Sequence, residues 1–75
     1  MGRKRYHVVP DKGDWRVEFE GGDRASGVFG TKAAAVDRGI ELARAQELGQ
    51  LIIHKQDGTI QEERTYGSDP FPPRG

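Results

Sequence analysis

The chain has 75 residues, of which 33% are hydrophobic and 32% charged, and twelve Lys plus Arg balance twelve Asp plus Glu. This length predicts one domain, near the lower limit at which a hydrophobic core alone maintains a fold. Because there is no cysteine, disulfides and thiolate zinc sites are excluded, and no apolar run approaches the ~20 residues of a membrane span.

The charge balance and the N-terminal sequence also predict where the protein works. The basic segment Gly2 to Arg5 leads into polar β sequence, without the hydrophobic stretch of an export signal. We therefore expect a cytoplasmic protein with no membrane partner. Proteins that bind duplex phosphates usually carry net positive charge or one basic face, so neutrality removes the simplest argument for nucleic acid.

The first part of the chain predicts three β-strands. Residues 5–10 are rich in β-formers, and Pro10 suits a strand end. A turn over residues 11–14 leads to strict alternation, which indicates a strand with one buried and one solvated face. The apolar members are Trp15, Val17 and Phe19, and the charged members are Arg16, Glu18 and Glu20. Residues 24–29 are a weaker candidate for a short third strand.

One amphipathic helix is predicted to follow. Thr31 is placed to be its N-cap, and residues 32–46 contain good helix formers and no proline. The apolar stripe includes Val36, Ile40 and Ala43. Gly39 lies beside this stripe and costs about 1 kcal/mol relative to alanine, so we expect close approach of the helix to the sheet. Gly49 fits a C-terminal stop of the helix.

A second hairpin and a tail complete the chain. Residues 51–54 are β-rich, Asp57-Gly58 predicts a type I′ turn, and residues 60–66 supply the returning strand. The predicted fold is α+β, with a small antiparallel sheet, one packed helix between two hairpins, and the order β-β-β-α-β-β. We divide the chain into a basic N-terminal arm (residues 1–5), a single α+β domain (6–66) and a Pro-rich C-terminal tail (67–75).

No catalytic, cofactor-binding or metal-binding residues are predicted, and we expect that the protein is not an enzyme. His7 and His54 become neighbours if the first and fourth strands pair, but two histidines without a third ligand do not make a zinc site. Glu62 and Glu63 point to opposite faces of a strand, so they cannot act together. The glycines before Thr31 match no phosphate-binding motif.

Two surfaces carry binding hypotheses. The three strands and the helix resemble the small DNA-binding modules at the N-termini of phage-type integrases, in which a three-stranded face enters the major groove. The candidate nucleic-acid contacts are Arg3, Arg5, Arg16 and Arg24, although Glu18 and Glu20 share the outward face with Arg16 and oppose phosphate. In the tail, Phe71 is costly to leave in water, so we expect it to dock near Trp15 or Tyr66 or against a partner.

Several segments together resemble a known family. These are YHVVP at residues 6–10, the Trp15 strand, the TKAAA helix start and the closing DGTIQEERTYGSDPFPP. They are similar to short bacterial proteins classified as domain of unknown function 2188, over residues 6–73. The resemblance implies a fold that agrees with the prediction and almost nothing about activity. A looser similarity is to a β-β-β-α-β family that carries such a unit in tandem, which implies self-association.

The leading hypothesis is a non-enzymatic binding or adaptor module. We expect a homodimer that buries a sheet edge or the tail against a second copy, or else a contact with another protein. The alternative is a DNA-binding accessory protein that uses the exposed face of the N-terminal sheet.

Overall fold

The computed structural model describes residues 4–22 and 25–67, which form a sheet with one helix packed on it. The elements are β1 (Lys4–Asp11), β2 (Asp14–Phe19), β3 (Ala25–Phe29), α1 (Lys32–Arg44), β4 (Leu48–His54) and β5 (Ile60–Gly67). Their order along the chain follows the predicted order. Lys4 and Arg5, which we placed in the N-terminal arm, belong to β1.

The predicted antiparallel sheet is wrong, because the five strands form a mixed sheet in the order β3-β2-β1-β4-β5. β1 and β4 are parallel, whereas the other neighbouring pairs are antiparallel. The helix is also not held between two hairpins, since it packs on one face and contacts all five strands. The physical reason is the helical crossover, which carries the chain from β3 past β2 and β1 and returns it parallel to β1.

The core lies between α1 and the face of the sheet that it covers. Its buried members are Tyr6, Val8, Trp15, Val17, Leu51 and Ile53 from the strands and Ala35 and Ala43 from the helix. Gly39 is buried where α1 crosses the sheet, and a Cβ there would lie 2.6 Å from Leu51 Cδ1. The expected close approach of helix and sheet is therefore confirmed.

The ends of α1 are set by two different devices. Thr31 is the N-cap as predicted, and its hydroxyl accepts a hydrogen bond of 3.1 Å from the Ala34 N–H. The prediction that Gly49 stops the helix is wrong, because α1 ends at Arg44 with Ala45 as its C-cap. Gly49 instead lies in β4, where a Cβ would collide with the Ala43 carbonyl. The glycine is needed for this close approach and not for a left-handed cap.

The type I′ turn also lies elsewhere than predicted. Both central residues of such a turn have positive φ, and this holds for Lys12 (51°) and Gly13 (89°) between β1 and β2. In the β4–β5 loop Gly58 has a φ of 94° but Asp57 is not left-handed. The Gly58 N–H donates to the Lys55 carbonyl instead, and the result is a longer loop.

Candidate functional site

The polar side chains of the three central strands gather on the outer face of the sheet, which is the face opposite α1. Residues alternate between faces along a strand, so the burial of Tyr6 and Val8 against the helix directs Arg5 and His7 outward. In the parallel β1–β4 register His7 is level with Ile52. His54, two residues further along β4, is therefore a diagonal neighbour of His7 on this face.

A continuous set of polar contacts, here called the histidine chain, consists of Arg5, Glu20, His7, His54 and the Gly58 carbonyl. His7 Nδ1 lies 2.9 Å from His54 Nε2, and His7 Nε2 lies 2.7 Å from Glu20 Oε1. At the far end, His54 Nδ1 lies 2.9 Å from the Gly58 carbonyl oxygen. Arg5 Nε lies 3.5 Å from the same Glu20 oxygen. The chain thus connects β1, the residue after β2, the end of β4 and the β4–β5 loop.

Glu20 is the anionic end of the histidine chain. The hydrogen bond from His7 lowers the pKa of the Glu20 carboxyl; burial opposes this effect, and the positive charge of Arg5 adds to it. Glu20 is therefore a carboxylate at neutral pH, and it can only accept hydrogen bonds.

The arginines predicted to contact nucleic acid are surrounded by carboxylates where the structure describes them. Arg16 lies 3.4 Å from Asp11 and 3.3 Å from Glu18, while Arg5 faces Glu20. Each guanidinium would have to give up such contacts to bind phosphate. Arg3 and Arg24 lie outside the described residues. DNA binding by this face stays a prediction, and its geometry favours internal ion pairs.

The residues predicted to receive the tail are not brought together. Trp15 is 8% exposed on the helix face, and Lys32 Nζ lies 5.1 Å from its ring centroid. Tyr66 lies in β5 and pairs with Gly49 of β4. Trp15 lies in β2, so β1 and β4 lie between the two aromatic residues. Phe71 lies outside the described residues, so its docking stays a prediction.

Sequence reasoning found His7 and His54 but missed the other members of the chain. The contact was conditional on the pairing of β1 with β4, and the structure shows these two strands as a parallel pair. The alternation placed Glu20 on the outward face but did not pair it with His7, and Gly58 lies in a loop whose path the strand pattern does not give. In residues 4–22 and 25–67, no group of three or more His, Cys, Asp or Glu side chains is placed to hold a metal ion. In the same part of the chain, no helix is long and apolar enough to cross a membrane.

Comparison with known proteins identifies the family. The model of the family described as an uncharacterized protein conserved in bacteria, DUF2188, matches residues 6–66. The chain belongs to this family. The resemblance found in the sequence is therefore confirmed. The chain is also 37% identical over 65 residues to the uncharacterized protein YdaT of Bacillus subtilis (strain 168). The match covers 87% of this chain and 43% of YdaT, so the chain spans less than half the length of that relative. No solved structure matches the chain.

Proposed function

We propose that this DUF2188 protein is a non-enzymatic binding module that self-associates by pairing β5 with β5 of a second copy. The observation that carries the proposal is the character of β5. It is an eight-residue edge strand without proline, and its first four residues are all exposed. An edge strand presents a row of backbone N–H and C=O groups, which is a template for another strand.

The other edge of the sheet is less suitable for such pairing. β3 has five residues, and its register with β2 shifts at Val17 and Glu18. Irregular register and short length are devices that protect an edge from pairing. β5 has eight residues; its register with β4 also shifts once, between Ile53 and His54 near the start of β5, but it is regular from Glu62 to Gly67. We therefore assign self-association to β5 and not to β3.

The charges of β5 agree with antiparallel pairing around a two-fold axis at Glu63. In that register Glu62 of one copy faces Arg64 of the other, and the symmetry makes this contact twice. Within one chain Arg64 Nε already lies 2.7 Å from Glu62, and the contact between copies would have to share or replace this ion pair. Glu63 opposes this pairing, because Glu63 of one copy would lie opposite Glu63 of the other. Like charges directly opposite each other destabilise a strand pair.

Two further observations support a binding role. The imidazoles of His7 and His54 are engaged with each other and with Glu20 and Gly58, so neither offers a free nitrogen as a general base. In YdaT more than half of the length lies outside the match, which is room for a second unit of this size. Two copies of the shorter chain would supply such a pair of units.

Proline substitutions at two adjacent positions of β5 test the proposal. Neighbouring N–H groups of a strand point alternately to its two sides, so one of Arg64→Pro and Thr65→Pro removes an N–H from the β4 ladder and the other removes one from the open edge. At a dilution where the wild type is monomeric, the edge-blocked variant is therefore the one that keeps the wild-type melting temperature. Sedimentation equilibrium should show a dimer for the wild type and a monomer for that variant. A wild type that is monomeric at all concentrations, or an edge-blocked variant that still dimerises, would overturn the proposal.

A further inference from the structure

The histidine chain ends in two groups that can only accept hydrogen bonds. At one end the Glu20 carboxylate faces His7 Nε2, and at the other the Gly58 carbonyl faces His54 Nδ1. Each of these outer ring nitrogens must therefore carry a hydrogen to make its contact. The two inner nitrogens, His7 Nδ1 and His54 Nε2, then face each other at 2.9 Å.

We propose that His7 and His54 share a single proton, so that the pair is one imidazole and one imidazolium joined by an N–H···N hydrogen bond. The inference follows from counting hydrogens. Two neutral imidazoles together carry two N–H hydrogens. These satisfy both outer contacts but leave the lone pairs of the two inner nitrogens facing each other. Two imidazolium rings carry four, which places one N–H against another. Three hydrogens satisfy all three contacts, and three means one positive charge on the pair.

The positions of the rings favour a proton over a metal ion in the gap. The ring centroids are 5.2 Å apart and the inner nitrogens 2.9 Å. The difference between these two distances equals the sum of the centroid-to-nitrogen distances of the two rings. Both inner nitrogens therefore lie on the line that joins the ring centroids. Two imidazole nitrogens bound to one metal at about 2.0–2.1 Å would stand at 2.9 Å only if their lone pairs converged at about a right angle. A straight N–H···N bond matches the observed arrangement.

Charged neighbours on the surrounding elements act on this pair. Glu20 and Arg5 belong to the chain itself, Glu18 is opposite His7 in the β1–β2 register, and Lys55 follows His54. From β5, Glu63 is opposite Ile52, which is opposite His7. Arg16 lies 3.3 Å from Glu18 on the same face, so three carboxylates and three cations surround the pair, and its charge is assigned from the hydrogen count alone.

The shared proton makes the histidine chain a pH-sensitive clamp between the β4–β5 loop and the β1–β2 side of the sheet. Acidification adds a second proton, and the inner contact must break because two N–H groups then face each other. Alkaline conditions remove the shared proton, and one of the three contacts is again lost. The clamp is complete only in the intermediate state, in which the two rings together carry three N–H hydrogens.

Nuclear magnetic resonance of the uniformly ¹⁵N-labelled, tag-free chain tests this directly, since His7 and His54 are its two histidines. A scalar coupling between His7 Nδ1 and His54 Nε2 is expected across the shared hydrogen near neutral pH. The ring signals of both histidines should also move together in two separate steps as the pH changes. The wild-type measurement decides without any variant. Absence of the coupling together with single, independent titration steps would overturn the proposal.

His54→Asn provides the matched comparison. It leaves His7 and Glu20 in place, so His7 should titrate in a single step and the nitrogen–nitrogen coupling should vanish. An unchanged two-step titration of His7 in this variant would contradict a proton shared with His54. Because these signals come from ring nitrogens on β1 and β4, they are independent of whether β5 pairs with a second copy.

Discussion

Replacing Gly39 by alanine sets two effects of similar size against each other. An alanine in a helix interior is favoured over glycine by about 1 kcal/mol. At this position, however, the new Cβ would lie 2.6 Å from Leu51 Cδ1 and 3.3 Å from Val8 Cγ2, and both side chains are fully buried. Overpacking of a filled core typically costs about 1–3 kcal/mol. We expect packing to win, with a net loss of about 1 kcal/mol.

The assay is thermal unfolding followed by circular dichroism. A loss of 1 kcal/mol in a domain of this size lowers the melting temperature by roughly 4–8 °C. Asp37, on the exposed side of the same helix, provides the control, because Asp37→Ala should be more stable than Asp37→Gly by the full propensity difference. Leu51→Val should destabilise the Gly39→Ala variant less than it destabilises the wild type, because the smaller side chain makes room for the new Cβ. The close approach of helix and sheet would be refuted if Gly39→Ala instead raised the melting temperature. The refuting increase would equal the difference in melting temperature between Asp37→Ala and Asp37→Gly.

Three further predictions concern a cap, a loop and the proposed interface. Thr31→Ala should lower the free energy of unfolding by about 1 kcal/mol because the Ala34 N–H loses its acceptor, whereas Thr31→Asn should retain most of it; equal chemical denaturation curves for both variants would contradict this. The pKa of Asp57 is lowered, first by the backbone N–H of Thr59 and then by its hydroxyl. The resulting stability is present above the ordinary value of 3.8 and is lost as the pH falls through the lowered pKa, so the melting temperature of Asp57→Asn should lack that acid-dependent component. Glu63→Gln should tighten the proposed dimer by roughly 0.2–1 kcal/mol because two facing carboxylates are removed, and sedimentation at low and high salt should show the gain shrinking with salt; weaker association would argue against a two-fold axis at this residue.

The sequence predicted the local structure of the chain well. The alternation from Trp15 to Phe19 places its apolar residues against the helix, and Thr31 begins α1. These features depend on periodicity and capping, which act over a few neighbouring residues. The position of Gly39 also predicted a tertiary contact, because a glycine within a helix needs a packing reason.

The prediction of the sheet failed where distant segments meet. Hairpin turns specify antiparallel neighbours, but nothing local states that β4 returns beside β1. One signal was present, since Leu51, Ile52 and Ile53 form a continuous apolar run that is typical of a strand buried on both faces. The contact between His7 and His54 depends on the pairing of β1 with β4, so the histidine chain could be predicted only under the condition that these strands pair. The alternation gave the face on which Glu20 lies but not its partner, and Gly58 joins the histidine chain through a backbone carbonyl, for which side-chain chemistry gives no signal.

Amide hydrogen exchange measured residue by residue at several protein concentrations is the most direct test of self-association through β5. The β5 amides that point to the open edge are bonded to no other strand in the described sheet, so they should exchange rapidly in dilute protein. Pairing with a second copy would bond those same amides, and their exchange should slow as the concentration rises, while the alternate amides bonded to β4 change little. Exchange at the edge amides of Ile60–Gly67 that is fast and independent of concentration would contradict the proposed interface.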